Sequence, residues 1–262
     1  MIAPYLLTSV ELQDFTKQFI GSVAFIGNVT LWMQSGCFDQ HAEVKPLLHV
    51  WSLAVEEQFY LVLPALLLLV PQRRWSFAII LATLFSLALC LSFVTTMPEA
   101  TFYWLPTRAW ELGVGGAAAL LTANSSPTFR VNGVVSWLCL IVIAVLAARP
   151  MSATHPGVDA IVICSATAWL LVAPLQVRYD VVPAQIVARL GDISYSLYLV
   201  HWPIFAFINS ANMTSPAGPR WPFRLMAVAV AVTLAAALYV GIERRFRINR
   251  RDVGSQPSGF WL

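Results

Sequence analysis

Long apolar runs separated by short polar stretches dominate the chain, and the length of those runs is its first structural signal. A helix needs about 20 residues to cross a hydrocarbon core of about 30 Å. Runs of that order fall at residues 17–33, 49–70, 75–97, 107–122, 131–149, 157–175, 186–209 and 223–243. Backbone polar groups have no water to bond inside lipid, so each run predicts a helix that satisfies its own backbone. The expected fold is all-α, a polytopic membrane helix bundle of about eight transmembrane segments. Two runs are weaker than the rest. The first is barely long enough and holds Gly21, Gly27 and Asn28, and the fourth is short and holds Arg108 and Glu111. Each is a candidate for a re-entrant segment or for shelter by neighbouring helices. The organisation that follows is an N-terminal segment at 1–16, a membrane domain at 17–243 and a basic tail at 244–262.

Composition supports the bilayer as solvent: 58% of the 262 residues are apolar and 11% are charged, against about 25% charged in soluble domains. Basic residues stand at helix ends and not along an aromatic-rich surface, which excludes nucleic acid as a partner. The four cysteines, Cys37, Cys90, Cys139 and Cys164, are far apart and mostly sit inside apolar runs. They read as small core residues, and no metal site is expected. The start MIAPYLL is too short and lacks the basic flank of a cleavable signal peptide.

Loop charge sets orientation, because cytoplasmic loops carry the excess of Lys and Arg. With the N-terminus inside, the inner loops hold Lys17, Arg73, Arg74, Arg130, Arg178, Arg189, Arg244, Arg245, Arg247, Arg250 and Arg251. The outer loops hold Lys45, Arg108, Arg149, Arg220 and Arg224. Both termini are therefore expected in the cytoplasm. Trp32, Trp51, Trp75, Trp104, Trp110, Trp202 and Trp221 stand near segment ends, as an interfacial aromatic belt would have them.

Charged side chains in hydrocarbon cost on the order of 2.5–3.5 kcal/mol even on the lenient insertion scale, so the carboxylates inside these runs mark candidate sites. The second run carries His49 at its mouth, then Glu56 and Glu57 beside Gln58 and Tyr60. Adjacent helical positions lie about 100° apart, so the two glutamates face different ways. The fourth run places Arg108 and Glu111 at i, i+3 on one face of its first turn. The seventh carries Asp192 near its inner end, His201 near its outer end, and Ser194, Tyr195, Ser196 and Tyr198 between. Pro203 removes a backbone donor and is expected to kink the helix there. By depth, Glu56, Glu57, Arg108, Glu111 and His201 share the outer half of the membrane, where an outward-opening polar cavity would account for them. Two readings stay open for Arg108: a structural tie to a glutamate, or a ligand-binding cation.

The strings HVWSLAVEEQFYLVLP at 49–64, FYWLPTRAWELGVG at 102–115, LGDISYSLYLVHWPIF at 190–205 and GIERRFR at 241–247 together resemble the successive signatures of the integral-membrane acyltransferase 3 family. They occur in the family's order across nearly the whole chain. The resemblance implies transfer of an acyl group, acetyl by default, from acetyl-CoA at the cytoplasmic face to a hydroxyl of a cell-envelope glycan. Lipopolysaccharide O-antigen or a lipid-linked glycan would be such an acceptor. It implies acyl-CoA as donor substrate with no bound cofactor, membrane lipids as surroundings, and the bacterial inner membrane as location. The family body has ten helices, so this chain is expected to lack the first two, a loss that preserves parity. The family's proposed catalytic histidine lies on the first helix and has no counterpart here. By the same resemblance Glu56 and Glu57 match acidic positions of the WSLxVE motif, and Arg108 and Glu111 match the RxWELxxG motif. The expected catalytic set is Glu56, Glu57 and His201, one glutamate orienting an imidazole or accepting a hydroxyl proton. The expected substrate-binding set is Arg108, Glu111, His49, Trp51, Ser194, Tyr195 and Ser196. The rival readings are a transporter or flippase of lipid-linked glycans, against which the absence of internal inverted symmetry counts, and an inactive fragment.

Overall fold

A computed structural model describes residues 8–35, 45–123, 133–149, 155–173, 182–211 and 221–246. Cys37, Arg130, Arg178, Arg220, Arg247, Arg250 and Arg251 lie outside them. Every regular element among the described residues is helical, as the apolar runs require. These residues fall into two compact units, one drawn from residues 3–42 and 47–177, the other from 43–46 and 178–262. The stretches Leu48–Leu68, Gln72–Phe93 and Trp221–Phe246 are long and apolar enough to cross a membrane, and Gly133–Ala148 and Val158–Val172 are shorter apolar helices. The protein is an all-α membrane bundle.

The first unit opens with α1 (Ser9–Val23) and α2 (Gly27–Met33). A capping box starts α1, with the Thr8 backbone N–H donating to Glu11 at 2.7 Å and the Glu11 N–H donating back to the Thr8 hydroxyl at 3.4 Å. The apolar run at 17–33 is thus two helices and not one. At the break, the Ile26 N–H donates to the Gly21 carbonyl (2.8 Å) and the Phe25 N–H to the Ser22 carbonyl (3.2 Å), a Schellman-like stop. Phe25 holds the left-handed position with φ of 56°, a region that favours glycine because a Cβ crowds the following carbonyl there. A Cβ on Gly21 would meet the Thr30 side chain, so α1 and α2 approach closely at that glycine. Phe25→Gly is expected to stabilise the bundle by about 0.5–1 kcal/mol, because the left-handed strain of about 1–2 kcal/mol is relieved against some added chain entropy. Denaturant unfolding in detergent checks this; a destabilised variant would show that the half-exposed Phe25 ring contributes more than the strain costs.

A 3₁₀ turn (Leu48–Val50) leads into α3 (Trp51–Leu68), followed by α4 (Trp75–Phe93), the short α5 (Pro98–Tyr103), α6 (Leu105–Ala123), α7 (Gly133–Ala148) and α8 (Val158–Val172). α6 is the centre of the unit, packed along α4, α8 and α3. A Cβ on Gly113 would meet the side chain of Thr83, which is why α6 carries glycine where it crosses α4. Nearby, the buried Ser86 hydroxyl on α4 donates to the Pro106 carbonyl (2.7 Å) and accepts from the Trp110 N–H (2.9 Å). It therefore bridges the two groups of one helical turn of α6 and ties the helices through polar atoms that lipid could not satisfy.

The second unit holds α9 (Val182–Asp192), α10 (Ser194–Ala211) and α11 (Trp221–Leu238), the last continuing through a π turn (Tyr239–Glu243) into α12 (Arg244–Phe246). The run at 186–209 is divided at Ile193, and α10 runs through Pro203 without ending. α11 presents Ala227, Ala231 and Ala235, all buried, at i, i+4, i+8. This small-residue stripe lets α10 and α11 pack closely. The Trp202 indole donates to the Lys45 carbonyl at 2.8 Å, which binds the 45–46 segment to this unit.

Candidate functional site

In the first unit the site is assembled at the corner between α5 and α6. Extended backbone at Trp104 turns the chain between the two helices. Two side chains from the first turn of α6 then fold back to cap the end of α5. Thr107 donates to the Thr101 carbonyl at 2.9 Å, and the Nε of Arg108 donates to the Phe102 carbonyl at 2.9 Å. The same guanidinium reaches forward through Nη1 to Glu111 Oε1 at 2.5 Å. It also lies over two aromatic rings that touch each other: Cζ is 5.0 Å from the Trp51 ring centre and 4.7 Å from that of Phe102. Trp51 and Phe102 are themselves 4.6 Å apart, with Tyr103 edge-on to Trp51 at 5.8 Å. Cation–π contacts strengthen with desolvation, and here the Arg108 side chain is 10% exposed while that of Glu111 is 27% exposed. A guanidinium fixed by two rings, a carbonyl and a carboxylate is a preorganised cation, and the partly open Glu111 marks its approachable side.

The structure thus brings Trp51, Arg108 and Glu111 together; the glutamate that Arg108 pairs with lies on its own helix, and its ties to α5 and α3 run through the Phe102 carbonyl and the Trp51 ring. His49 stands two residues before Trp51, with both ring nitrogens shut off from solvent. Glu56 lies further along α3, half-buried, and accepts the Tyr60 hydroxyl at 2.6 Å. Glu57 is exposed on another face of α3, the divergence that the 100° helical step requires. Among the described residues no ion pair joins Glu56 or Glu57 to Arg108.

In the second unit, Ser194 donates to the Gly191 carbonyl at 2.8 Å and caps the end of α9. Ser196, 3% exposed, donates to Glu243 Oε2 at 2.7 Å. Tyr195 and Ser196 line a cavity between α10 and the π turn. His201 Nδ1 lies 3.1 Å from the Leu197 carbonyl and 2.9 Å from the Tyr198 carbonyl. Two carbonyl neighbours require Nδ1 to carry the proton, which places the basic lone pair of the neutral ring on Nε2.

Three participants escape a reading of the sequence. Phe102 contributes a carbonyl and a ring face, neither of which a polar-residue search detects. Glu243 sits in the quoted GIERRFR string but shows its partner only in three dimensions. The third is a clasp of amides: Gln58 Nε2 donates to Asn28 Oδ1 and to the Phe25 carbonyl, both at 2.8 Å, while Asn28 Nδ2 donates to the Tyr103 carbonyl at 3.0 Å. Asn28 is 1% exposed, so the clasp joins the helix break, α3 and the end of α5 with Asn28 on its interior side and the Gln58–Phe25 bond on its exposed side.

An ion pair clamped by aromatic rings inside an all-helical apolar bundle defines a polytopic membrane protein with a polar interior site. The chain belongs to the acyltransferase domain family, which it matches over residues 1–240. It is similar to a protein of Komagataeibacter xylinus named as a membrane-bound transacylase, at 27% identity over 229 residues covering 85% of this chain and 57% of that protein. It is also similar to the peptidoglycan O-acetyltransferase OatA of Listeria monocytogenes, at 26% identity over 234 residues covering 81% of this chain and 37% of OatA. An uncharacterised protein of Haemophilus influenzae is 30% identical over 165 residues, covering 57% of this chain and 67% of that protein. The chain spans little more than half the length of the first relative and about a third of OatA. No solved structure matches it.

Proposed function

We propose that the chain is the membrane body of an O-acyltransferase that moves an acyl group, acetyl by default, from acyl-CoA to a hydroxyl of an envelope glycan. Peptidoglycan, lipopolysaccharide and lipid-linked glycans all present such hydroxyls. The observation that carries the reading is the ring-clamped Arg108–Glu111 pair, set within the residues matched to the family. Its guanidinium suits a phosphate or carboxylate of the acceptor, and Glu111 keeps the site near neutral until that anion arrives. Glu56 already accepts a hydroxyl, that of Tyr60, and is the group proposed to take the acceptor's proton. The acceptor oxygen would attack the thioester carbonyl; its C–O bond forms as the C–S bond breaks, and the thiolate leaves. His201, with its basic lone pair on Nε2, is the second candidate base. Membrane location is shared with the transacylase relative; the inner membrane with both ends in the cytoplasm is part of the proposal.

The test is transfer from labelled acetyl-CoA to alkali-labile esters of envelope glycans, in membranes that contain the inserted chain. Glu56→Gln is expected to lower transfer by about 10²–10⁴-fold, the range of a lost general base. Unchanged transfer in that variant would remove Glu56 from the mechanism, and transfer lost equally in Tyr60→Phe would assign the pair a structural role.

A further inference from the structure

Independently of acyl transfer, the second unit contains a cavity of about 420 Å³ at the junction of α10 with the π turn, within the range of roughly 300–1,000 Å³ typical of ligand sites. Leu199, Leu238, Ile242 and Phe246 wall it, the last three at i, i+4, i+8 along one face. Ser196 and Glu243 close its polar side on each other, at 2.7 Å. A π turn is rare and concentrates at functional sites, because its extra residue spreads the backbone.

Position decides what the cavity can take. Trp221–Phe246 is a 26-residue helical stretch, on the order of 39 Å long at 1.5 Å per residue, and so exceeds a hydrocarbon core of about 30 Å. With the apolar body of the stretch in the core, the excess leaves Arg224 at one end and Arg244 and Arg245 at the other in the headgroup zones. Arg244 and Arg245 follow Glu243 directly, are exposed, and make no ion pair among the described residues. An apolar cavity beside two exposed cations at the edge of the hydrocarbon fits an amphiphile with an anionic head. Two arginines beside the one carboxylate of Glu243 leave this end of the helix net positive. We propose that the cavity seats one acyl chain of an anionic phospholipid whose phosphate is met by Arg244 and Arg245.

The probes are phosphatidylglycerol and phosphatidylcholine of identical chains, offered to the purified full chain and counted as retained lipid by native mass spectrometry. Each basic residue near an anionic headgroup is worth roughly fivefold in binding, so the pair predicts a preference of roughly thirtyfold for phosphatidylglycerol. In Arg244→Gln/Arg245→Gln the preference is expected to fall to within a few-fold. Leu199→Trp, which fills the cavity, is expected to cut retention of both lipids at least tenfold while helicity and gel-filtration volume stay unchanged. Equal retention of the two lipids, a preference that survives the arginine double variant, or retention unaffected by Leu199→Trp would each overturn the proposal. So would a disulfide-linked homodimer of Phe246→Cys formed without loss of helicity, since a second copy would then cover the cavity. None of these readouts depends on acyl transfer, so the proposal stands or falls separately from the reaction.

Discussion

Arg108→Met is expected to destabilise the bundle by about 3 kcal/mol and to abolish any transfer that depends on the site. Removing one partner of a buried ion pair costs roughly 3–5 kcal/mol, because the other charge is left uncompensated. Glu111 is 27% exposed, which places the effect at the low end. The Phe102 carbonyl also loses its donor. Arg108→Met/Glu111→Met is expected to recover most of the lost stability, since replacing both charges with apolar groups of similar volume is often close to neutral. Transfer is expected to stay lost in the double variant, because the cation is gone. Arg108→Lys separates the two roles further: it keeps the charge, but an ammonium has no planar face to lay over Trp51 and Phe102 and no fork to bond the Phe102 carbonyl and Glu111 together. Denaturant unfolding in detergent, run beside the acetyl-transfer assay, gives both readouts. Equal stability of the single and double methionine variants would show that the ion pair is not what the α5–α6 corner depends on.

The second large effect is expected at Asn28→Leu, at about 2–4 kcal/mol. The substitution strands the Tyr103 carbonyl and removes one acceptor of the Gln58 amide, and each buried polar group left without a partner costs roughly 1–3 kcal/mol. Gln58→Leu strands the Phe25 carbonyl instead. Because the two amides bond each other, the double variant is expected to be less damaging than the sum of the singles, by about 0.5–3 kcal/mol. Unfolding midpoints of the four proteins complete the cycle. Strict additivity would mean that Asn28 and Gln58 act on their carbonyls separately and that their mutual hydrogen bond contributes little.

The helices were legible in the sequence because lipid leaves a long apolar run no other way to satisfy its backbone, and α3, α4, α7, α8 and α11 lie where those runs stand. The breaks were less visible. Ala24, Phe25 and Ile26 contain neither proline nor glycine, and the interruption there is held by Gln58, more than thirty residues downstream. Ile193 likewise carries no breaking signal of its own, whereas Pro203, which does, lies inside a continuous helix. At the site, local pairs were readable from spacing. Arg108 and Glu111 meet at i, i+3, and the two glutamates of α3 diverge by one helical step. Partners distant in sequence were not: the rings around Arg108 come from α3 and α5, and Ser196 finds Glu243 47 positions away. Residue type told where charge would gather, and only packing told what would hold it.

The break between α1 and α2 also bears on how the protein is made. In isolation, the break at Ala24–Ile26 would hold a left-handed Phe25 whose carbonyl lacks its side-chain donor. The amide that answers it belongs to α3, which leaves the ribosome later. The break between α1 and α2 is therefore completed only after α3 has been made, when Gln58 can reach back to the Phe25 carbonyl. Biogenesis would then read Gln58 before any substrate does.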